Sequence, residues 1–215
     1  MVRRQIGSKE RLFFVEPTRP GAIYPCSIDD IATLLRHCTA EELATFDFIV
    51  LRQRTRKQDI LAPAWARAHF AFDIDRYSGT AILIEAQSLV SLAWSNHVTV
   101  EQERELARLQ SDGHLITRSR RKVELTPNVP AMRNTVLFRS MLFEIGNHID
   151  FARTGPDEWQ RRPASQKKDF AHRHASECYQ RLSRAGHVPF AAIIDAASLA
   201  QDGLRREWFA FEEPA

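Results

Sequence analysis

Cysteine, glycine and proline are all scarce in this chain. Three cysteines in 215 residues (Cys26, Cys38 and Cys178) form no C-x-x-C pair and are odd in number. That argues against a disulfide framework or a zinc knuckle and fits reduced thiols in a cytoplasmic protein. Eight glycines and ten prolines are too few for a collagen-like or low-complexity chain. No apolar run approaches the ~20 residues that cross a bilayer, and the opening MVRRQIGSKERLFF lacks a long apolar stretch before a small-residue cleavage site. Neither a membrane protein nor a secreted one is expected. Charge of one sign is missing too: 30 Lys plus Arg meet 27 Asp plus Glu, and a formal charge of +3 does not announce a nucleic-acid binder. There is no G-x-S-x-G, Walker or Rossmann glycine pattern, so a hydrolase elbow or a nucleotide cradle has no support.

What remains is a globular composition, 44% hydrophobic, long enough to bury a core as one domain over 1–215. Ser27 three residues before Asp30, and Thr39 three before Glu42, are capping-box spacings that frame short helices near 28–37 and 40–46, an N-terminal helical subregion over 1–47. FIVLRQR (48–54), HFAFDID (69–75) and TAILIEAQ (80–87) carry the β-branched and aromatic residues of strands. Thr99 caps the charged helix VEQERELARLQ, and HLITRSRRKVEL then reads as a hairpin turning near Ser119 and Arg120, closing a sheet region over 48–125. Pro130 suits a first helical turn, and Leu137, Met141, Leu142, Ile145 and Ile149 continue a helix to about Arg153, ended by Gly155 and Pro156. A second long helix spans about 165–185 and stops at Gly186, and Asp195 caps a last short helix within a C-terminal extension, 186–215. Strands first and helices afterwards predict an α+β fold with a small, mostly antiparallel sheet packed on the paired helices of 130–185.

Within those helices, LFRSMLFEIGNHIDFAR (137–153) and KKDFAHRHASE (167–177) stand out. The first resembles the active helix of the zincin metallopeptidases. There, H-E-x-x-H puts two imidazoles on one helix face to hold zinc, and the intervening Glu serves as general base to the metal-bound water. The wording is similar to the H-E-I-G-H-H-x-D version of uncharacterised bacterial zincin-like proteins: Glu144, Ile145, Gly146, His148 and Asp150 match, while Phe143 and Asn147 stand at the two metal histidines. In glutamate-type zincins the third ligand comes from a downstream helix with an E-x-F-A-like sequence. Here Lys168-Asp169-Phe170-Ala171 places Lys168 at that position, or Asp169 if the register shifts by one.

Phenylalanine has no lone pair for a metal, asparagine only a neutral carbonyl oxygen, and lysine brings a cation. The resemblance therefore implies a zincin-like fold without its metal: a pseudo-peptidase whose Glu144 is a vestigial general base, which takes a protein partner or peptide segment and needs no cofactor. TAILIEAQ would supply the edge strand for such a segment. Phe143, Asn147, His148, Asp150, Lys168, Asp169 and His172 are the candidate cleft residues, with Trp159, expected in a loop between the long helices, as a partner contact. Two other readings stand beside it. One is a metal-dependent peptidase with zinc held unconventionally around Glu144, His148 and Asp169 or His172. The other is a nucleic-acid-associated accessory acting through basic clusters at 52–57, 118–122 and 161–168. Alternatively, Glu144 and His148 are an ordinary exposed i, i+4 pair on an amphipathic helix. Cys178, near His174 on its helix, reads as a buried, inert thiol.

Overall fold

The computed structural model describes residues 1–55 and 64–209. A five-stranded sheet lies at its centre: β1 (Val2–Ile6), β2 (Lys9–Val15), β4 (Phe48–Arg52), β6 (Tyr77–Glu85) and β5 (Ala66–Ile74), in the order β1-β2-β4-β6-β5. The two outer pairs are antiparallel and the two inner pairs, β2–β4 and β4–β6, parallel. The sheet is thus mixed rather than mostly antiparallel. The chain runs from β2 to β4 through a two-stranded ribbon strand, β3 (Ala22–Ile23), and two helices, α1 (Ile28–Arg36) and α2 (Ala40–Ala44), long enough to bring it back parallel. The sheet begins at Val2, so 1–47 is not a helical subregion alone. Ile6 faces Lys9 across a two-residue turn in which Gly7 takes φ +60°.

Each inner strand has apolar side chains on both faces, because both faces are covered. Ile49 and Leu51 of β4, with Ile82 and Ile84 of β6, join the main core beneath the helices; Phe48, Val50, Ala81 and Leu83 point the other way into a smaller cluster with Phe14. TAILIEAQ is therefore an interior strand. The edge beside the long helix is β5, which slips register against β6 between His69 and Phe72.

Both capping boxes form: the Ser27 and Thr39 hydroxyls accept from the N–H groups of Asp30 and Glu42, whose carboxylates accept in return from Ser27 and Thr39. Beyond β6, β7 (Gln87–Ser88) pairs with β3, while β8 (Leu92–Ser95), β10 (Lys122–Thr126) and β9 (Leu115–Arg118) make a three-stranded sheet beside α3 (Val100–Ser111). Next comes one continuous helical rod: α4 (Val129–Asn134), a π-helical stretch (Thr135–Met141) and α5 (Leu142–Thr154). Gly155 ends the rod, but Pro156 opens another helix, α6 (Pro156–Arg161), so Trp159 sits on a helix and not in a loop. α7 (Ala164–Arg184) returns alongside α5, and α8 (Ala196–Gln201) follows. A Cβ on Gly146 would lie 3.0 Å from the Ala171 Cα and 3.1 Å from the His174 Cβ, so glycine sets how closely α5 and α7 pack.

The C-terminal stretch is tied in. Asp30, fully buried, accepts from Arg133 through both oxygens (2.7 and 3.2 Å) and from the Ile193 N–H (2.9 Å), while Leu199, Leu204 and Phe209 enter the main core. No helix among the described residues is long and apolar enough to cross a membrane.

Candidate functional site

The first turn of α5 carries Glu144 under the edge strand. Glu144 is 8% exposed, and its Oε2 accepts from the Ala68 N–H of β5 (2.8 Å) and from the Asn147 side-chain amide (2.9 Å). Burial pushes its carboxyl up to about 7; the two hydrogen bonds and the nearby Arg67 charge hold it below where burial alone would take it. The i, i+3 spacing on the helix brings Asn147 to Glu144. The asparagine amide is spent on that carboxylate, and neither group is an exposed partner of His148.

One turn on, His148 is 1% exposed, and its Nε2 donates to the Ala81 carbonyl of β6 at 3.0 Å, where β5 slips out of register. Its Nδ1 is buried without a partner, and Phe46 and Phe70 flank the ring. Burial lowers its pKa to about 4, so the imidazole is neutral at pH 7. It pins the rod to the sheet. Asp150 is buried and takes Arg162 on Oδ1 at 2.5 Å. Around it, Phe70 and Phe151 stack with ring centres 4.1 Å apart, Trp159 packs edge-on against both, and the Lys167 ammonium lies 3.9 Å from the indole centre.

Residues 143, 147 and 168 are engaged separately. The Phe143 ring lies 4.6 Å from that of His172 on α7, Asn147 binds Glu144, and Lys168 extends to Glu101 of α3 at 3.1 Å, where both side chains are exposed. Asp169 is exposed, and burial lowers the pKa of His172. As metal ligands this set does not fit: it offers an aromatic ring, an amide already hydrogen-bonded and a paired cation. The exposed Glu144–His148 pair is overturned, since both are buried and bond different strands.

The basic clusters are largely paired within the fold. Arg52, Arg54 and Arg67 surround the fully buried Glu85 of β6. Arg118 pairs with Glu103 and Lys122 with Glu124. Arg56 and Lys57 lie outside the described residues.

Packing makes one cluster that spacing in the sequence does not reveal. Cys38, Glu42 and Cys178 bring ligand atoms within 4.8 Å of one another, with the His174 Nε2 3.5 Å from Glu42. Of these, the sequence pairs only His174 and Cys178, one turn apart on α7. The Glu42 carboxylate is already committed: Thr39 N–H donates to it at 2.6 Å and Arg181 Nη2 to both oxygens at 2.8 and 2.9 Å, while the same guanidinium lies 3.2 Å from the Cys178 sulfur. A cation is thus supplied to this cluster by the chain itself.

No protein-family model matches the chain, and no curated protein or solved structure matches it at a significant level. The class that can be stated is an α+β protein built on a mixed five-stranded sheet.

Proposed function

We propose that this chain is a zincin-like pseudo-peptidase, a domain that keeps the cleft of a zinc peptidase without its metal and binds an extended segment of a partner protein along β5. One observation carries the reading: Glu144, at the place of a general base, spends its carboxylate on the Ala68 N–H of the edge strand and on Asn147. An antiparallel edge strand over a long helix, a second helix crossing at Gly146, and the E-I-G-x-H-x-D wording support it. Among the described residues β5 has one strand neighbour, β6; the Ala68 N–H on its other edge is taken by Glu144, so a strand added there by main-chain pairing would displace that carboxyl. Glu144 holds Ala68 in the way a carbonyl of that added strand would. A metal-dependent peptidase has less support, because Glu144, His148 and Asp150 are each engaged by the fold.

Restoring the ligands tests the register. Phe143→His, Asn147→His and Lys168→Glu together should create stoichiometric zinc binding, measured by elemental analysis after dialysis, where the native sequence binds none. Stoichiometric zinc in the native protein, lost on changing His148, would establish the peptidase reading. A restored variant that stays metal-free would remove the zincin register. The docking edge is tested separately. Decapeptides selected for binding should slow amide exchange of Ala66–Ile74, and protection confined to other elements would refute strand addition there.

A further inference from the structure

Just past the end of α1, Cys38 faces Cys178 of α7. Their sulfurs and a Glu42 carboxylate oxygen all lie within 4.8 Å of one another. A disulfide needs about 2.0 Å between sulfurs, a gap that a change of side-chain rotamer closes. The two backbones are already tied across it. Arg181, one turn beyond Cys178, donates to the His37 carbonyl beside Cys38 at 3.1 Å and to both Glu42 oxygens. Cys38 is half-buried and Cys178 buried, so of the two it is Cys38 that reaches the surface. The third cysteine, Cys26, is fully buried in the main core.

Charge reaches the pair from two elements. On α7, the Arg181 guanidinium lies 3.2 Å from the Cys178 sulfur and steadies negative charge there. On α2, Glu42 acts against it, with His174 Nε2 3.5 Å from its carboxylate. Contact with Cys178, burial and the Glu42 charge push the Cys38 thiol well above its ordinary value, and Arg181 pulls it part of the way back. Cys38 therefore holds its proton at neutral pH and meets an oxidant slowly. Cys178 stands beside a cation that favours its attack on an oxidised neighbour.

We propose that Cys38 and Cys178 are a redox modification site, at which hydrogen peroxide closes a disulfide between the end of α1 and α7 and a thiol reductant reopens it. The Cys38 thiolate attacks one peroxide oxygen and the O–O bond breaks. Cys38 becomes a sulfenic acid, and the departing hydroxide takes up the proton the thiol gave away. The Cys178 sulfur then attacks the Cys38 sulfur. The S–O bond breaks, and its hydroxide leaves with the Cys178 proton as a second water. Two thiols are oxidised and one peroxide is reduced to two waters. The slow first step tunes the site to sustained peroxide. It shares no side chain with the Glu144 contacts and stands or falls independently of the pseudo-peptidase reading.

The test treats the folded full chain with excess hydrogen peroxide, alkylates it, digests it without reduction and maps the peptides by mass spectrometry. Two of the three thiols should be lost to one peptide linking Cys38 and Cys178, restored by dithiothreitol, with Cys26 still free. The urea midpoint should rise on oxidation and return on reduction. In Cys178→Ser the Cys38 sulfenic acid has no partner and should be trapped by dimedone, and Cys38→Ser should give no linked peptide. In urea, where loop length alone decides, Cys26 is the nearer partner of Cys38 and should replace Cys178. The proposal is overturned by a folded chain that links Cys38 to Cys26, joins two chains, or reaches sulfinic acid with no linked peptide. A linked chain whose midpoint does not rise refutes the tether. Should a serine variant fail to fold, the peptide map of the native sequence decides alone.

Discussion

Replacing Glu144 by glutamine should stabilise the protein at neutral pH and leave it unchanged in acid. The Glu144 carboxyl goes from an ordinary 4.5 to about 7 in the fold. Between those values the unfolded chain is ionised while the native carboxyl holds its proton, so the native state binds the extra proton and stability falls as pH rises. At about 1.4 kcal/mol per unit, the loss amounts to about 3 kcal/mol by pH 7 and is constant above it. His148 acts in the opposite sense. Its pKa falls from 6.5 to about 4, so as pH drops through that window the unfolded imidazole gains a proton the native ring refuses, and stability is lost toward acid. From 4.5 to 6.5 the two slopes largely cancel in the native sequence. Glutamine carries no charge, and its carbonyl still accepts from Ala68, while Asn147 can turn its amide to receive the new N–H group. Urea unfolding from pH 4 to 8 at fixed ionic strength should therefore give two curves that meet near pH 4.5 and separate by about 3 kcal/mol at pH 7.5. The Glu144→Gln curve should rise between pH 4 and 6.5 with the His148 contribution unmasked. Parallel curves across the range would refute the argument, because they would mean Glu144 titrates alike in both states.

Two further substitutions test what holds the site in place. Asp30→Ala removes the capping box and strands Arg133, a buried cation then left with the Phe190 and Ala191 carbonyls; a loss of about 3–5 kcal/mol in thermal unfolding is expected, and one below about 1 kcal/mol would show the network is dispensable. At Gly146, alanine gains about 1 kcal/mol in helix propensity and meets an overpacking cost of about 1–3 kcal/mol against the Ala171 backbone. Gly146→Ala should thus be mildly destabilising and Gly146→Val severely so, and equal melting temperatures for Val and Gly would mean that α5 and α7 separate easily.

Several elements were legible because their causes are local. Ser27, Thr39 and Thr99 stand three residues before Asp30, Glu42 and Gln102, and all three make the reciprocal bonds of a capping box. The hairpin around Ser119, the rod from Val129 and the stop at Gly155 also followed from nearby residues. The strand Val2–Ile6 was missed because VRRQI is mostly polar at the sheet's rim, though Gly7-Ser8 is a hairpin turn signal. TAILIEAQ reads as an edge strand only if its unbroken apolar run is ignored, since such a run belongs to a strand covered on both faces.

The sequence by itself determined which residues stand at 143, 147 and 168, and so that a phenyl ring, an amide and an ammonium replace metal donors there. It also determined the helix starts and stops that put Glu144 and His148 one turn apart. Only the tertiary structure decided where each lone pair and proton is used: Glu144 on Ala68, His148 on Ala81, Lys168 on Glu101, and His114 Nδ1 on nothing. Caps and periodicity act within a few residues of chain, whereas these partners lie 76, 67 and 67 residues apart, and burial, which moves the titrations of Glu144 and His148, exists only once the strands and helices have packed.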